Sequence, residues 1–205
     1  DSYHVEANLL ESGILLNDGQ GRFTFKALPR IAQIAPTFGI AAEDFDADGN
    51  VDLVLAQNYY WAQPETGRMA GGLGQYLRGN GDGSFQPVKP EQSGIVVPQD
   101  ARSLVATDID ADGRLDLAFG LNDGPVTLFS RQDDRTSPER YLRVKLKGRG
   151  GNPTAIGALL TLTFGDGSTQ IREIHAGQGY LSQSSAKAWF GLGDKDPQTI
   201  EVRWP

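Results

Sequence analysis

Two segments of this chain set carboxylates at a spacing that serves metal chemistry. Asp44, Asp46, Asp48, Gly49, Asn50 and Asp52 make one Asp-x-Asp-x-Asp-Gly-x-x-Asp loop, and Asp108, Asp110, Asp112, Gly113, Arg114 and Asp116 make another. In such a loop the alternate carboxylates at positions 1, 3 and 5 converge on one point, the glycine at 6 allows the sharp turn, and residue 7 offers its carbonyl. The aspartate at 9 adds a fifth protein ligand, so the ligands expected are Asp44, Asp46, Asp48, the Asn50 carbonyl and Asp52, then Asp108, Asp110, Asp112, the Arg114 carbonyl and Asp116. An all-oxygen set with this much charge suits Ca²⁺, one ion per loop, better than Mg²⁺, which keeps more of its water. Without a cation, four carboxylates crowded into a partly desolvated loop repel one another. The bland reading is a pair of solvated Asp-Gly turns that hold no metal.

An EF-hand shares the first nine positions of this pattern and fails at the twelfth. There it requires a bidentate Glu, whereas the two loops carry Leu55 and Phe119. The exits, Val51-Asp52-Leu53-Val54-Leu55 and Leu115-Asp116-Leu117-Ala118-Phe119, are strand sequences rather than helical ones.

The elements that must carry these loops read as strands nearly throughout. Short runs rich in Val, Ile, Leu, Phe and Tyr alternate with Gly, Asn and Asp clusters, and no helical stripe appears. Expected strands include Ile14 to Leu16, Arg22 to Lys26, Gly39 to Ala42, Val51 to Gln57, Gln75 to Arg78, Leu104 to Thr107, Leu115 to Leu121 and Val126 to Ser130. Five more follow at Tyr141 to Leu146, Leu159 to Phe164, Thr169 to His175, Ala188 to Leu192 and Ile200 to Trp204. Turns are marked by Asn17-Asp18-Gly19, Asn80-Gly81-Asp82-Gly83 and Asp166-Gly167. The Asp loop recurs after 64 residues, from Asp44 to Asp108, and each copy is preceded by a related Asn/Asp/Gly turn ending in Phe23 or Phe85. One repeat is thus about one four-stranded unit.

Composition narrows the function. There are no cysteines and only two histidines, His4 and His175, which removes disulfides and thiolate metal sites. A net charge of −7, from 26 acidic against 19 basic residues, argues against nucleic acid. Eight of those acids lie in the two loops, so the remaining surface is close to balanced. No apolar run approaches the roughly 18 residues of a membrane helix. The first residue is Asp1, which fits either a removed targeting segment or a cut chain.

The loops, the strands they feed and the interleaved Leu-Asn-Asp-Gly-x-Gly-x-Phe turn resemble FG-GAP/VCBS repeats, the calcium-binding blades of integrin-type β-propellers, over roughly residues 14–131. From Tyr141 onward, Asn152-Pro153-Thr154-Ala155-Ile156-Gly157, Gly177-Gln178-Gly179-Tyr180-Leu181-Ser182-Gln183 and Phe190-Gly191-Leu192-Gly193 resemble the ASPIC/UnbV domain, as found after such repeats in cartilage-acidic-protein-like secreted proteins. The expected fold is therefore all-β, an incomplete β-propeller over residues 1–134 and a small β-sandwich-like domain over 135–205, joined by a linker at Gln132 to Arg140. The resemblance implies an extracellular or secreted protein with a binding, adhesive or assembly role and no catalytic activity.

About 140 residues cannot close a ring that needs at least four blades of this size. A longer parent propeller, a capping C-terminal domain and edge-to-edge self-association all remain open as explanations. Two other functional readings stand beside the binding module. One is an accessory part of a larger secreted enzyme, and the other a self-assembling filament or surface-layer subunit. His175 beside Glu173 reads as structural, since Ser182, Ser184 and Ser185 lack a nucleophile elbow. Gly177-x-Gly179 lacks the third glycine and βαβ setting of a dinucleotide site. Tyr59-Tyr60-Trp61, on a glycine-rich loop, suits either a protein or glycan contact or packing between repeats.

Overall fold

The computed structural model describes residues 4–132 and 140–205. The expected linker and the boundary between residues 134 and 135 fall almost wholly outside them.

The chain opens with a hairpin, β1 (Gly13–Asn17) and β2 (Phe23–Ala27), followed by a single 3-10 turn at Arg30–Gln33. Four strands then run up and down in one antiparallel sheet: β3 (Thr37–Glu43), β4 (Asp52–Gln57), β5 (Gln75–Gly79) and β6 (Phe85–Val88). After a one-turn helix, α1 (Pro90–Ser93), the same path begins again with β7 (Ala101–Thr107), β8 (Asp116–Leu121) and β9 (Thr127–Phe129) in a three-stranded sheet. The repeat of sequence is therefore a repeat of sheet. β6 has no counterpart among the expected strands, because its Pro87 breaks the propensity signal; as an edge strand it tolerates the missing N–H.

Every residue of β4 is buried, as befits a central strand covered on both faces, whereas β3 alternates. The two sheets meet along β3 and β7. Gly39 of β3 lies so close to the backbone of Ser103 and Leu104 that a Cβ there would stand 2.8 Å from the Leu104 nitrogen. The shared core joins Val54 and Ala56 of the first sheet to Leu104, Leu117 and Phe119 of the second.

The C-terminal unit holds β10 (Tyr141–Val144), β11 (Leu159–Phe164), β12 (Thr169–Glu173), β13 (Ala188–Gly191) and β14 (Pro197–Arg203). β10 pairs with β13, and β12, β11 and β14 form a second sheet. The two sheets enclose Leu160, Leu162, Phe164, Ile174 and Phe190. Trp189, on β13, belongs instead to the core shared with the repeats. Among the described residues there are five small antiparallel sheets, and none closes into a barrel or a complete ring of blades.

Candidate metal centre

Both Asp loops are turns between the first two strands of a sheet, closed by the last registered pairs, Glu43 with Asp52 and Thr107 with Asp116. Their internal hydrogen bonds match one for one. The position-9 carboxylate accepts the N–H of residue 2, from Phe45 to Asp52 at 3.0 Å and from Ile109 to Asp116 at 2.8 Å. The first carboxylate accepts the glycine N–H, from Gly49 to Asp44 at 2.8 Å and from Gly113 to Asp108 at 3.2 Å. The third and fifth accept the N–H two residues on, so Asp48 donates to Asp46 and Asn50 to Asp48, just as Asp112 donates to Asp110 and Arg114 to Asp112. Even the strained residues coincide: Ala47 and Ala111 hold φ of 60° and 64°, where a Cβ costs about 1 kcal/mol or more.

These bonds gather the carboxylates. Oxygens of Asp44, Asp46 and Asp48 lie within 4.8 Å of one another, as do those of Asp108, Asp110 and Asp116. Asp52 and Asp112 are not drawn into their groups. Asp52 is a staple, accepting from the Gly79 N–H at 2.8 Å and the Tyr76 hydroxyl at 2.9 Å besides Phe45. Asp112 pairs with the guanidinium of Arg114. Arg78 binds Asp46 at 2.7 Å.

At position 1 of both loops one oxygen is left over. Asp44 Oδ1 and Asp108 Oδ1 are buried and have no hydrogen-bond partner. A buried carboxylate oxygen with nothing to accept is costly in a metal-free loop, and it is the donor a hard cation would take. Burial pushes the Asp44 carboxyl up to about 7; the Gly49 N–H works against this, and repulsion from Asp52, Asp48 and Asp46 adds to it. Asp52 is pushed up to about 6, again chiefly by burial, with the Gly79 N–H opposing. The all-oxygen donor set and the orphaned oxygens fit a hard metal cation.

The C-terminal unit sits on these loops. Gly193 donates its N–H to the Ala47 carbonyl at 2.8 Å, and the Tyr141 hydroxyl donates to the Phe45 carbonyl at 2.8 Å. Gly191 faces Asp44 so closely that a Cβ there would collide with Asp44 Oδ2. At the second loop, Arg143 of β10 reaches Asp108 Oδ2 at 2.6 Å while its guanidinium lies 5.4 Å from the Trp189 ring centre.

Residues 148–205 match the family model described as ASPIC and UnbV. Over 192 residues the chain is 29% identical to cartilage acidic protein 1 of Mus musculus, covering 91% of this chain and 28% of that protein. The same protein of Homo sapiens is 28% identical with the same coverage, and that of Xenopus tropicalis is 28% identical over 193 residues. The chain thus spans 28% of the length of these curated relatives.

The segment that this family model matches supplies the docking residues Gly191 and Gly193, and Gln170, whose amide donates to the Gly191 carbonyl at 2.8 Å. Sequence reasoning missed this role. Phe190-Gly191-Leu192-Gly193 stood out only as a signature, and the local hint was glycine on both sides of Leu192, where the first Asp loop approaches closely. The same segment walls a cavity of about 200 Å³ against β3, lined by Glu43, Arg172, His175 and Ser185 among others. Within the Gly177-to-Gln183 signature, Tyr180 rests on Phe38 at 5.6 Å between ring centres, and just beyond it Ser184 accepts the Ala106 N–H at 3.2 Å.

Proposed function

We propose that this chain is a calcium-binding extracellular β-repeat module, an unclosed portion of an FG-GAP/VCBS-type propeller, in which two Ca²⁺ ions are structural and the presented surface serves binding, adhesion or assembly. The observation that carries it is the pair of orphaned oxygens, Asp44 Oδ1 and Asp108 Oδ1, at the same position of two congruent loops. Asp44, Asp46 and Asp48 would hold one ion and Asp108, Asp110 and Asp116 the other, with the Asn50 and Arg114 carbonyls, and Asp52 and Asp112 once released from their present partners, completing the two sets. When bound, calcium supplies the positive charge that lets these carboxylates stay ionised while buried. The chain's own contribution is the scaffold: Asp52 and Asp116 staple each loop, and Gly191, Gly193 and Tyr141 seat the C-terminal unit on the first. The reading assigns no catalytic step.

Similarity to proteins named for cartilage, an extracellular tissue, supports placement outside the cell. Among the described residues no helix is long and apolar enough to cross a membrane. The exposed side chains of β1 and β2, Leu15 and Phe23 among them, favour further coverage by a longer parent chain or by a second copy. Thermal melts in calcium and in chelator test the proposal. Each site at a hundredfold its dissociation constant adds about 2.7 kcal/mol, so chelation lowers Tm by many degrees. Superimposable melts would refute a structural role for the metal.

A further inference from the structure

At the end of the two repeat sheets opposite the Asp loops, the connection between β4 and β5 and the turn between β8 and β9 form the walls of a cleft of about 440 Å³. Tyr60, Trp61 and Arg68 come from one wall, Asn122, Asp123 and Pro125 from the other. We propose that this cleft binds an uncharged saccharide, with a pyranose ring laid on the indole of Trp61. It gives the binding role proposed above a partner class. It rests on that reading only for its biological setting, because the cleft and the calcium loops are separate sites.

The walls are fixed before any ligand arrives. Asp100, 1% exposed, lies beneath both of them: it accepts the Tyr60 N–H and the Asn122 side-chain amide at 3.2 Å each, and pairs with Arg102 at 2.7 Å. Its carbonyl accepts the Asn122 N–H at 2.8 Å. Asn58, fully buried, ties Gly72 and the carbonyls of Pro98 and Gln99 to the same floor. Tyr59 and Met69 exchange both backbone hydrogen bonds, which closes the segment carrying Trp61 into a small loop of its own. The Tyr60 hydroxyl donates to the Pro98 carbonyl, and Arg68 stacks over the Tyr60 ring at 5.1 Å. A pinned cleft spares a ligand most of the ordering cost of binding.

On this rigid frame Trp61 remains 65% exposed. A large indole left in water at the mouth of a cleft, flanked by exposed planar polar groups, is the arrangement that recognises sugars. The aromatic face takes the C–H face of the ring, and the Asn122 amide, Asp123 carboxylate and Arg68 guanidinium offer acceptors and donors for paired hydroxyls. Asp123, at φ 59°, is held by its turn in a sparsely populated conformation. The charge favours an uncharged ligand: Asp100 is neutralised by Arg102, which leaves Arg68 to balance Asp123 across the cleft.

The test is saturation-transfer NMR and calorimetry on the full chain with cellobiose, N,N′-diacetylchitobiose, lactose and one uronic-acid disaccharide, with and without chelator. At least one neutral disaccharide should bind. Trp61→Ala should weaken it at least about tenfold, Asp123→Ala should weaken it less, and Trp204→Ala, another exposed tryptophan, should leave it unchanged. Circular dichroism confirms that the exposed-site variants fold. No neutral binder, binding that survives Trp61→Ala, equal loss in Trp204→Ala, or binding of the uronic-acid probe alone would each overturn the proposal. Failure of the calcium reading would appear instead as unchanged melts in chelator.

Discussion

The two Asp loops share a sequence, a turn and a hydrogen-bond pattern, yet they meet different surroundings. The first is shut in: Asp44 is fully buried, Ala47 and Phe45 nearly so, and the backbone of Gly191 and Gly193 lies over it. The second is largely open, and what reaches it from the C-terminal unit is the half-exposed side chain of Arg143. A motif sets the local geometry, whereas the fold around it decides how much each carboxylate costs in the absence of a cation. Burial raises Asp44 to about 7, so in the closed loop that cost is high.

The comparison breaks most sharply at Gly191. Gly191→Ala drives a methyl group into Asp44 and should destabilise the protein by about 3 kcal/mol, seen as a lower urea midpoint. Calcium at the first site should weaken with it, while the second site is untouched. A variant as stable as the parent would mean that the C-terminal unit does not seal the first loop.

An effect of comparable size comes from pH. Glu43 and Asp44 are both raised to about 7 by burial, opposed at Glu43 by Arg172, and Asp52 is raised to about 6. A raised carboxyl holds its proton in the folded chain after the unfolded chain has released it. Its stabilising contribution is therefore fully present below about 4 and lost as pH climbs toward 7. In chelator, stability should fall across that window, and saturating calcium should flatten the fall, since the metal favours the ionised form. A metal-free stability that rises steadily from pH 4 to 7 would contradict this account of the closed loop.

The smallest effect belongs to the open loop. Arg143→Ala removes a half-exposed guanidinium from a buried carboxylate and should cost about 1 to 2 kcal/mol without metal. Because that guanidinium competes for Asp108 Oδ2, its removal should also tighten calcium at the second site by about threefold. Weaker calcium binding in this variant would show that Arg143 supports the metal-bound loop instead.

Much of this was legible in the sequence, because the relevant information is local. The Asp loops, the glycine at position 6 and the strands they feed follow from spacing alone; the repeat period points to a four-stranded unit, which the first copy forms, whereas the second has three strands among the described residues. β6 escaped because its Pro87 reads against a strand unless the strand is known to be an edge. The contacts of the C-terminal unit escaped for a different reason. Gly193 reaching Ala47 and Arg143 reaching Asp108 join residues far apart in the chain, and nothing local to either partner announces the other. The split of each ligand set was equally hidden, since only tertiary partners such as Tyr76 and Gly79 make Asp52 a staple.

Isothermal titration of the metal-stripped chain with calcium chloride tests the central claim most directly. Two calcium ions per chain should bind, falling to one in Asp44→Asn and to one in Asp108→Asn. A chain that takes up no calcium, or whose stoichiometry is unmoved by either substitution, would contradict it.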